Sequence, residues 1–277
     1  MFKDILVHVD SSTASARRLA LAASLAEETE AHLTGLHVKW LQESLYWADP
    51  FAAAAIIEAA TEAAAAEAER AAAQFRTETA GRALVSDWRV VAGPRVRSVA
   101  QHGGLADLIV VGQHDPDNEA GIESGGLAEQ VVLASGRPCL VVPYCGDFPT
   151  LGRCVLIAWN GSREAVRAVN DALPFLKRAA KVHVITVDPC RSKAEAKNVL
   201  PTDIAAHLAR HGVKVTVENN VSNEISVGDL LLALTAELSA DLIVAGAYGH
   251  ARLRELVMGG VSRTLLAGMT VPVLMSH

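Results

Sequence analysis

One phrase written twice constrains this chain more than any other feature. ADLIVVG at residues 106–112 returns as ADLIVAG at 240–246. In both places a Gly-Gly pair follows at the same interval, and then a proline entering a short apolar run. An offset of 134 residues carries Gly112 to Gly246, Gly125 to Gly259 and Pro138 to Pro272. The beginnings of the halves match too, DILVHVDSS from Asp4 against CVLIAWNGS from Cys154, but at an offset of 150 that sets Asp10 opposite Asn160. The first half therefore holds 16 more residues between these anchors. Repetition on this scale marks two copies of one folding unit, and 277 residues suit two domains that each bury a core.

The extra residues fall within 40–80. There PFAAAAIIEAATEAAAAEAERAAAQF is rich enough in Ala and Glu to predict a helix, which at 1.5 Å per residue would run roughly 40 Å. PYCGDFPTLG at 143–152 has the Pro and Gly content of a linker, so the domains are read as 1–143 and 152–277.

Each half alternates short apolar runs with longer amphipathic ones, as β-α-β units around a parallel sheet buried on both faces do. Strands are expected near 4–9, 32–38, 84–91, 107–111 and 139–142, then near 154–159, 181–187, 213–218, 241–245 and 272–275. The first helix of each half opens on a capping hydroxyl, in SSTASARRLALAASLAEE and GSREAVRAVNDALPFLKRA. Five strands and four crossovers per half predict an α/β fold of two flavodoxin-like (Rossmann-like), doubly wound domains. Spacing leaves the strand order open.

Composition excludes several classes. A formal charge of -6 without a basic stripe argues against a general nucleic-acid binder, although local backbone N–H groups can still hold one nucleotide. No run approaches the roughly 18 apolar residues of a membrane span. The start MFKDILVHVD has an aspartate inside what would be a leader's apolar stretch, so no membrane association and a cytoplasmic location are expected. Cys139, Cys145, Cys154 and Cys190 match no zinc or redox spacing and read as reduced, mostly buried thiols.

The chemistry is concentrated in one loop. After the fourth strand of the second half comes GAYGHARLRELVMGGVSRTLL. Gly246 and Gly249 stand two residues apart, and nine residues then lead to Gly259 and Gly260 at a helix start. Glycines there let the chain approach phosphate oxygens, while the helix N-terminus aims free N–H groups at the anion.

This pattern resembles the signature of nucleotide-binding universal stress proteins: Gly, two residues, Gly, nine residues, Gly, a hydroxyl residue, then Val and Ser/Thr. Gly246, Gly249, Gly259, Val261 and Ser262 fit it, and Gly260 departs by lacking the hydroxyl. The resemblance covers nearly the whole chain twice. It implies strand order 3-2-1-4-5, with ligand at the crevice where strands 1 and 4 part. It implies an acid after strand 1 for the nucleoside and backbone at the end of strand 2 for adenine, positions held by Asn160 and Val187 in the second half. His250 follows Gly249 and could reach a phosphate tail, as could Arg252 and Arg254; such residues also commonly solvate a loop. In the first half Asp10 is the expected acid and Val38 ends strand 2. There Asp115 replaces the second glycine between Gly112 and the Gly125–Gly126 pair, and a carboxylate in a phosphate cradle repels the ligand. The first site is therefore read as degenerate.

Other residues have plainer readings. His207 and His211 would share a helical face, but no third metal ligand lies near in sequence, so a solvated face is the simpler reading and no metal set is assigned. His8 in a buried strand reads as a satisfied core histidine. Trp40, Tyr46, Trp47 and Phe51 either line an apolar pocket over the first crevice or pack the long helix.

The leading expectation is a stress-response regulator that binds ATP or a related adenine nucleotide in its second half, with the role of Mg2+ open and hydrolysis slow at most. The alternative is a scaffold or apolar-ligand binder with both nucleotide sites degenerate. The resemblance also implies pairing through last strands, here within one chain as a pseudo-dimer, with whole chains then forming a homodimer. No Walker loop, GxSxG elbow or SGGxDS loop after strand 1 is present.

Overall fold

In a computed structural model of the chain, the described residues are 1–39, 50–116, 126–187, 201–222, 225–247 and 260–277. They divide into two compact units, Met1–Gly112 and Gln113–His277.

The first unit runs β1 (Asp4–His8), α1 (Thr13–Thr29), β2 (His32–Lys39), α2 (Pro50–Thr79), β3 (Ser86–Ala92), α3 (Arg95–Gly103) and β4 (Leu108–Gly112). Its strands lie in the order β3-β2-β1-β4, all parallel. Ile5, Leu6 and Val7 of β1 and Leu108 to Val111 of β4 are almost wholly buried, as central strands covered on both faces must be. Helix α1 starts where Ser12 Oγ accepts the Ser15 N–H at 3.0 Å and stops at Glu30, which adopts a left-handed conformation with φ 51°.

Helix α2 spans 30 residues, about 45 Å at 1.5 Å per residue. Of its residues from Ile56 onward, only Ala68, Ala71, Ala72 and Phe75 are buried, a stripe at helical spacing. Phe75 lies against Trp88, ring centroids 5.2 Å apart, and both rings press on Gly35 of β2. A Cβ at Gly35 would stand 2.5 Å from the Phe75 ring, so the glycine is required by close packing.

The second unit holds α4 (Leu127–Ser135), β5 (Cys139–Val142), β6 (Cys154–Ala158), α5 (Arg163–Asp171), α6 (Leu173–Leu176), β7 (Lys181–Val187), α7 (Pro201–Arg210), β8 (Val215–Asn220), α8 (Val227–Glu237), β9 (Leu242–Gly246), α9 (Gly260–Gly268) and β10 (Val273–Ser276). The order β5-β10-β9-β6-β7-β8 contains the five strands of the second repeat as 5-4-1-2-3, which is the 3-2-1-4-5 order. Those five are parallel; β10 then meets β5 antiparallel, with Val273 facing Val141 and Met275 facing Cys139. The last strands of the two repeats are thus hydrogen-bonded to each other.

Differences from the sequence reading are local. Strand ends shift by one or two residues. The single helix read after β6 is two, because Pro174 lacks an N–H, and α5 ends at Asp171 before a short α6 begins. The thiols are not mostly buried: Cys139 is buried, Cys154 half-buried and Cys145 exposed, because Cys145 falls among bends between strands. Cys190 lies outside the described residues.

Candidate functional site

The crevices form at the carboxyl ends of β1 and β4 in one unit and of β6 and β9 in the other, where consecutive crossovers leave in opposite directions along the sheet. Their floors are built alike. Val9 N–H bonds Leu36 O at 2.8 Å, and Trp159 N–H bonds Ile185 O at 2.9 Å. Asp10 Oδ1 accepts from Ser12 N at 2.9 Å, and Asn160 Oδ1 from Ser162 N at 3.0 Å, the same side-chain turn that launches α1 and α5.

Above that floor the two differ. In the first crevice the Arg18 side chain, 4% exposed, comes up from α1. Its Nε donates to His8 O at 2.7 Å, and its terminal nitrogen donates to Asp10 Oδ2 at 3.0 Å and Ser15 Oγ at 3.1 Å. The guanidinium lies where a Cβ on Gly112 would be, 2.1 Å from the ideal position. Burial alone would raise the Asp10 carboxyl, but Arg18 outweighs it and holds the group well below the usual carboxylate range. Asp10, the acid expected to meet a nucleoside, is committed to Arg18 instead. No sequence motif announced this; the basic residue eight positions after the acid was the available signal.

His8 is buried, as expected of a core histidine, yet its ring makes no hydrogen bond among the described residues. Its Nδ1 stands 3.9 Å from Asp10 Oδ2. Desolvation, reinforced by Arg18, pushes its pKa down to about 3, so it is neutral at ordinary pH. His37 is settled by a 2.9 Å hydrogen bond between Nδ1 and Val9 O. Val38 is buried in β2, Asp115 is half-buried, and Gly126 caps α4 with φ 84°. Gly125, Trp40, Tyr46, Trp47 and the Phe51 side chain lie outside the described residues.

In the second crevice the residue matching Arg18 is Ala168, buried in α5 and too short to reach across as the guanidinium does. Asn160 is exposed and its Nδ2 makes no hydrogen bond among the described residues. The space left by Gly246 is taken by the first turn of α5: an added Cβ would stand 2.5 Å from Ala165 N and 2.6 Å from the Glu164 carbonyl carbon. Burial would raise the Glu164 carboxyl, but its hydrogen bond from Arg163 brings it below the ordinary value. Val187 is half-buried at the end of β7. Helix α9 begins at exposed Gly260, where an added Cβ would meet nothing within 4 Å; Val261 is exposed and Ser262 buried. Gly249, His250 and Gly259, with Arg252 and Arg254, lie outside the described residues.

A cavity of about 640 Å³ at the opposite, amino ends of β1 and β2 is lined by Lys3, Glu30, His32 and Arg82 among others, remote from the first crevice. No helix among the described residues is long and apolar enough to cross a membrane.

A doubly wound α/β domain occurring twice, each copy with its crevice at the strand carboxyl ends, defines a tandem protein of the flavodoxin-like class. The chain belongs to the universal stress protein family, whose model matches residues 1–143 and 153–277. A curated relative, Universal stress protein Slr1230 of Synechocystis, is 28% identical over 173 residues, 62% of this chain and 58% of the relative, so the match spans little more than half that relative's length. Among solved structures, a universal stress protein from Archaeoglobus fulgidus DSM 4304 aligns at TM-score 0.74 and 19% identity, over 99% of this chain and 95% of its own. A protein of unknown function from Pseudomonas aeruginosa PAO1 aligns at TM-score 0.60 and 16% identity, over 99% and 92%. At such identities the likeness establishes the fold.

Proposed function

We propose that this universal stress protein binds ATP or a related adenine nucleotide in the crevice of its second half and acts as a stress-response regulator through a change of shape or partner. The observation that carries this reading is the contrast between the crevices. Arg18 closes the first by taking Asp10, whereas the second has Ala168 at the matching place and an exposed Asn160 whose amide is unused among the described residues. Asn160, Val187, Gly246, Gly249, His250, Gly259, Gly260, Val261 and Ser262 are the proposed contacts. The first half serves as a scaffold, a reading the Arg18–Asp10 pair favours. The antiparallel β5–β10 pairing supports an intrachain pseudo-dimer, and whole chains are proposed to pair again.

The test begins by denaturing freshly purified protein and analysing the supernatant for nucleotide, followed by calorimetric titration with ATP, with and without Mg2+. Gly249→Asp, copying Asp115, is expected to abolish binding. Asn160→Asp is expected to strengthen it by on the order of 1 kcal/mol through a charge-assisted hydrogen bond. Absence of both retained nucleotide and measurable binding would leave the scaffold reading in place for the whole chain.

A further inference from the structure

The two histidines at the carboxyl end of α7, His207 within the helix and His211 in the turn just after it, differ in their exposure. His207 and His211 lie four residues apart, and their rings meet edge to face with centroids 4.7 Å apart and an interplanar angle of 63°. Ile204 and Leu208 of the same helix are buried, so the stripe that includes His207 turns toward the protein. His207 is half-buried overall, but its Nε2 is fully buried and has no hydrogen-bond partner among the described residues. An imidazole nitrogen in that state is costly, because it has lost water without replacing it. His211 is exposed, so its ring can turn about its side-chain torsions.

We propose that His207 and His211 form a chelating site for a borderline divalent transition metal of the zinc, nickel or copper type. Three features of the pair fit that chemistry. Imidazole nitrogen suits these ions, whereas magnesium and calcium prefer oxygen. The i, i+4 spacing of helical zinc motifs also relates these two residues, with His211 one residue beyond the end of α7. Two imidazoles bound to one zinc at about 2.0–2.1 Å and near-tetrahedral angles hold their rings roughly 5 Å apart, close to the 4.7 Å between these ring centroids. A metal on His207 Nε2 also supplies the partner that the nitrogen lacks. No third His, Cys, Asp or Glu completes a cluster among the described residues, so the remaining positions fall to water admitted from the exposed His211 side. The site lies at the carboxyl end of α7, apart from the second crevice, and does not depend on nucleotide binding.

Calorimetric titration of the full chain with zinc chloride and nickel chloride tests the proposal, alongside His211→Ala and His207→Gln. The chain has ten histidines and four cysteines, so the variants provide the comparison that isolates this pair. The intact chain is expected to bind one equivalent in the submillimolar range and to melt higher with metal. Each variant is expected to lose at least about tenfold in affinity. His211 is exposed, so His211→Ala is expected to keep its fold even if His207→Gln does not. Copper bound to the intact chain should show two-nitrogen hyperfine structure in its paramagnetic resonance spectrum, collapsing to one in His211→Ala. Equal affinity in the intact chain and His211→Ala, or a copper spectrum unchanged between them, would overturn the assignment.

Discussion

At the scale of single residues, the decisive group is Arg18. Its guanidinium is almost fully buried, and its attraction to Asp10 is supported by hydrogen bonds to Ser15 Oγ and His8 O. Buried pairs hold only when such extra bonds satisfy the remaining donors, and removing one partner leaves the other uncompensated. Arg18→Ala is therefore expected to cost about 3 kcal/mol, read as a lower urea midpoint. The matching change in the second half is already present as Ala168, and Asn160 there carries no charge to be stranded. Gly260 makes the opposite prediction. An added Cβ meets open space, so Gly260→Ser is expected to stabilise the protein against thermal unfolding by roughly 0.5 kcal/mol through reduced chain entropy. It should also tighten any ATP binding.

Among elements, helix ends show where one repeat serves the other inside the second unit. Gln113 follows β4 in sequence, yet its Nε2 donates to Leu266 O at 2.8 Å and Ala267 O at 3.2 Å, covering carbonyls at the end of α9. Its Oε1 accepts from Tyr144 N at 3.2 Å. Arg167 of α5 reaches Gly136 O, just past α4, and His277 O. Terminal carbonyls have no partner within their own helix, so such residues from outside matter. Gln113→Leu is expected to cost about 1–2 kcal/mol, visible in the denaturation midpoint and in faster amide exchange at Tyr144. Element types and their order were legible in the apolar runs, and the caps at Ser12 and Ser162 in their hydroxyls. The partners of Gln113 were not, because the carbonyls it meets lie 153 and 154 residues away.

For the whole molecule, acid is the condition to which the first unit is most sensitive. His8 titrates near 3 when folded against 6.5 as a free side chain, so the unfolded chain binds the extra proton between these values and stability falls as pH drops from 6.5. Asp10 is also depressed from 3.8, and its contribution, present above that value, is lost as pH falls further. Both act in one direction, so the urea midpoint is expected to decline from pH 7 to pH 4. His8→Leu should flatten that decline above pH 4, where Asp10 remains ionised.

By itself the sequence determined the tandem repeat, the doubly wound α/β class and the extra long helix. These are written in local patterns of apolarity, glycine and charge that each segment carries alone. Only the tertiary structure decided that Arg18 occupies the first crevice, that the space beside Gly246 belongs to α5, and that His207 keeps a buried nitrogen unpaired among the described residues. Each depends on which distant atoms exclude water from a group, and that is fixed only when the chain has closed around it.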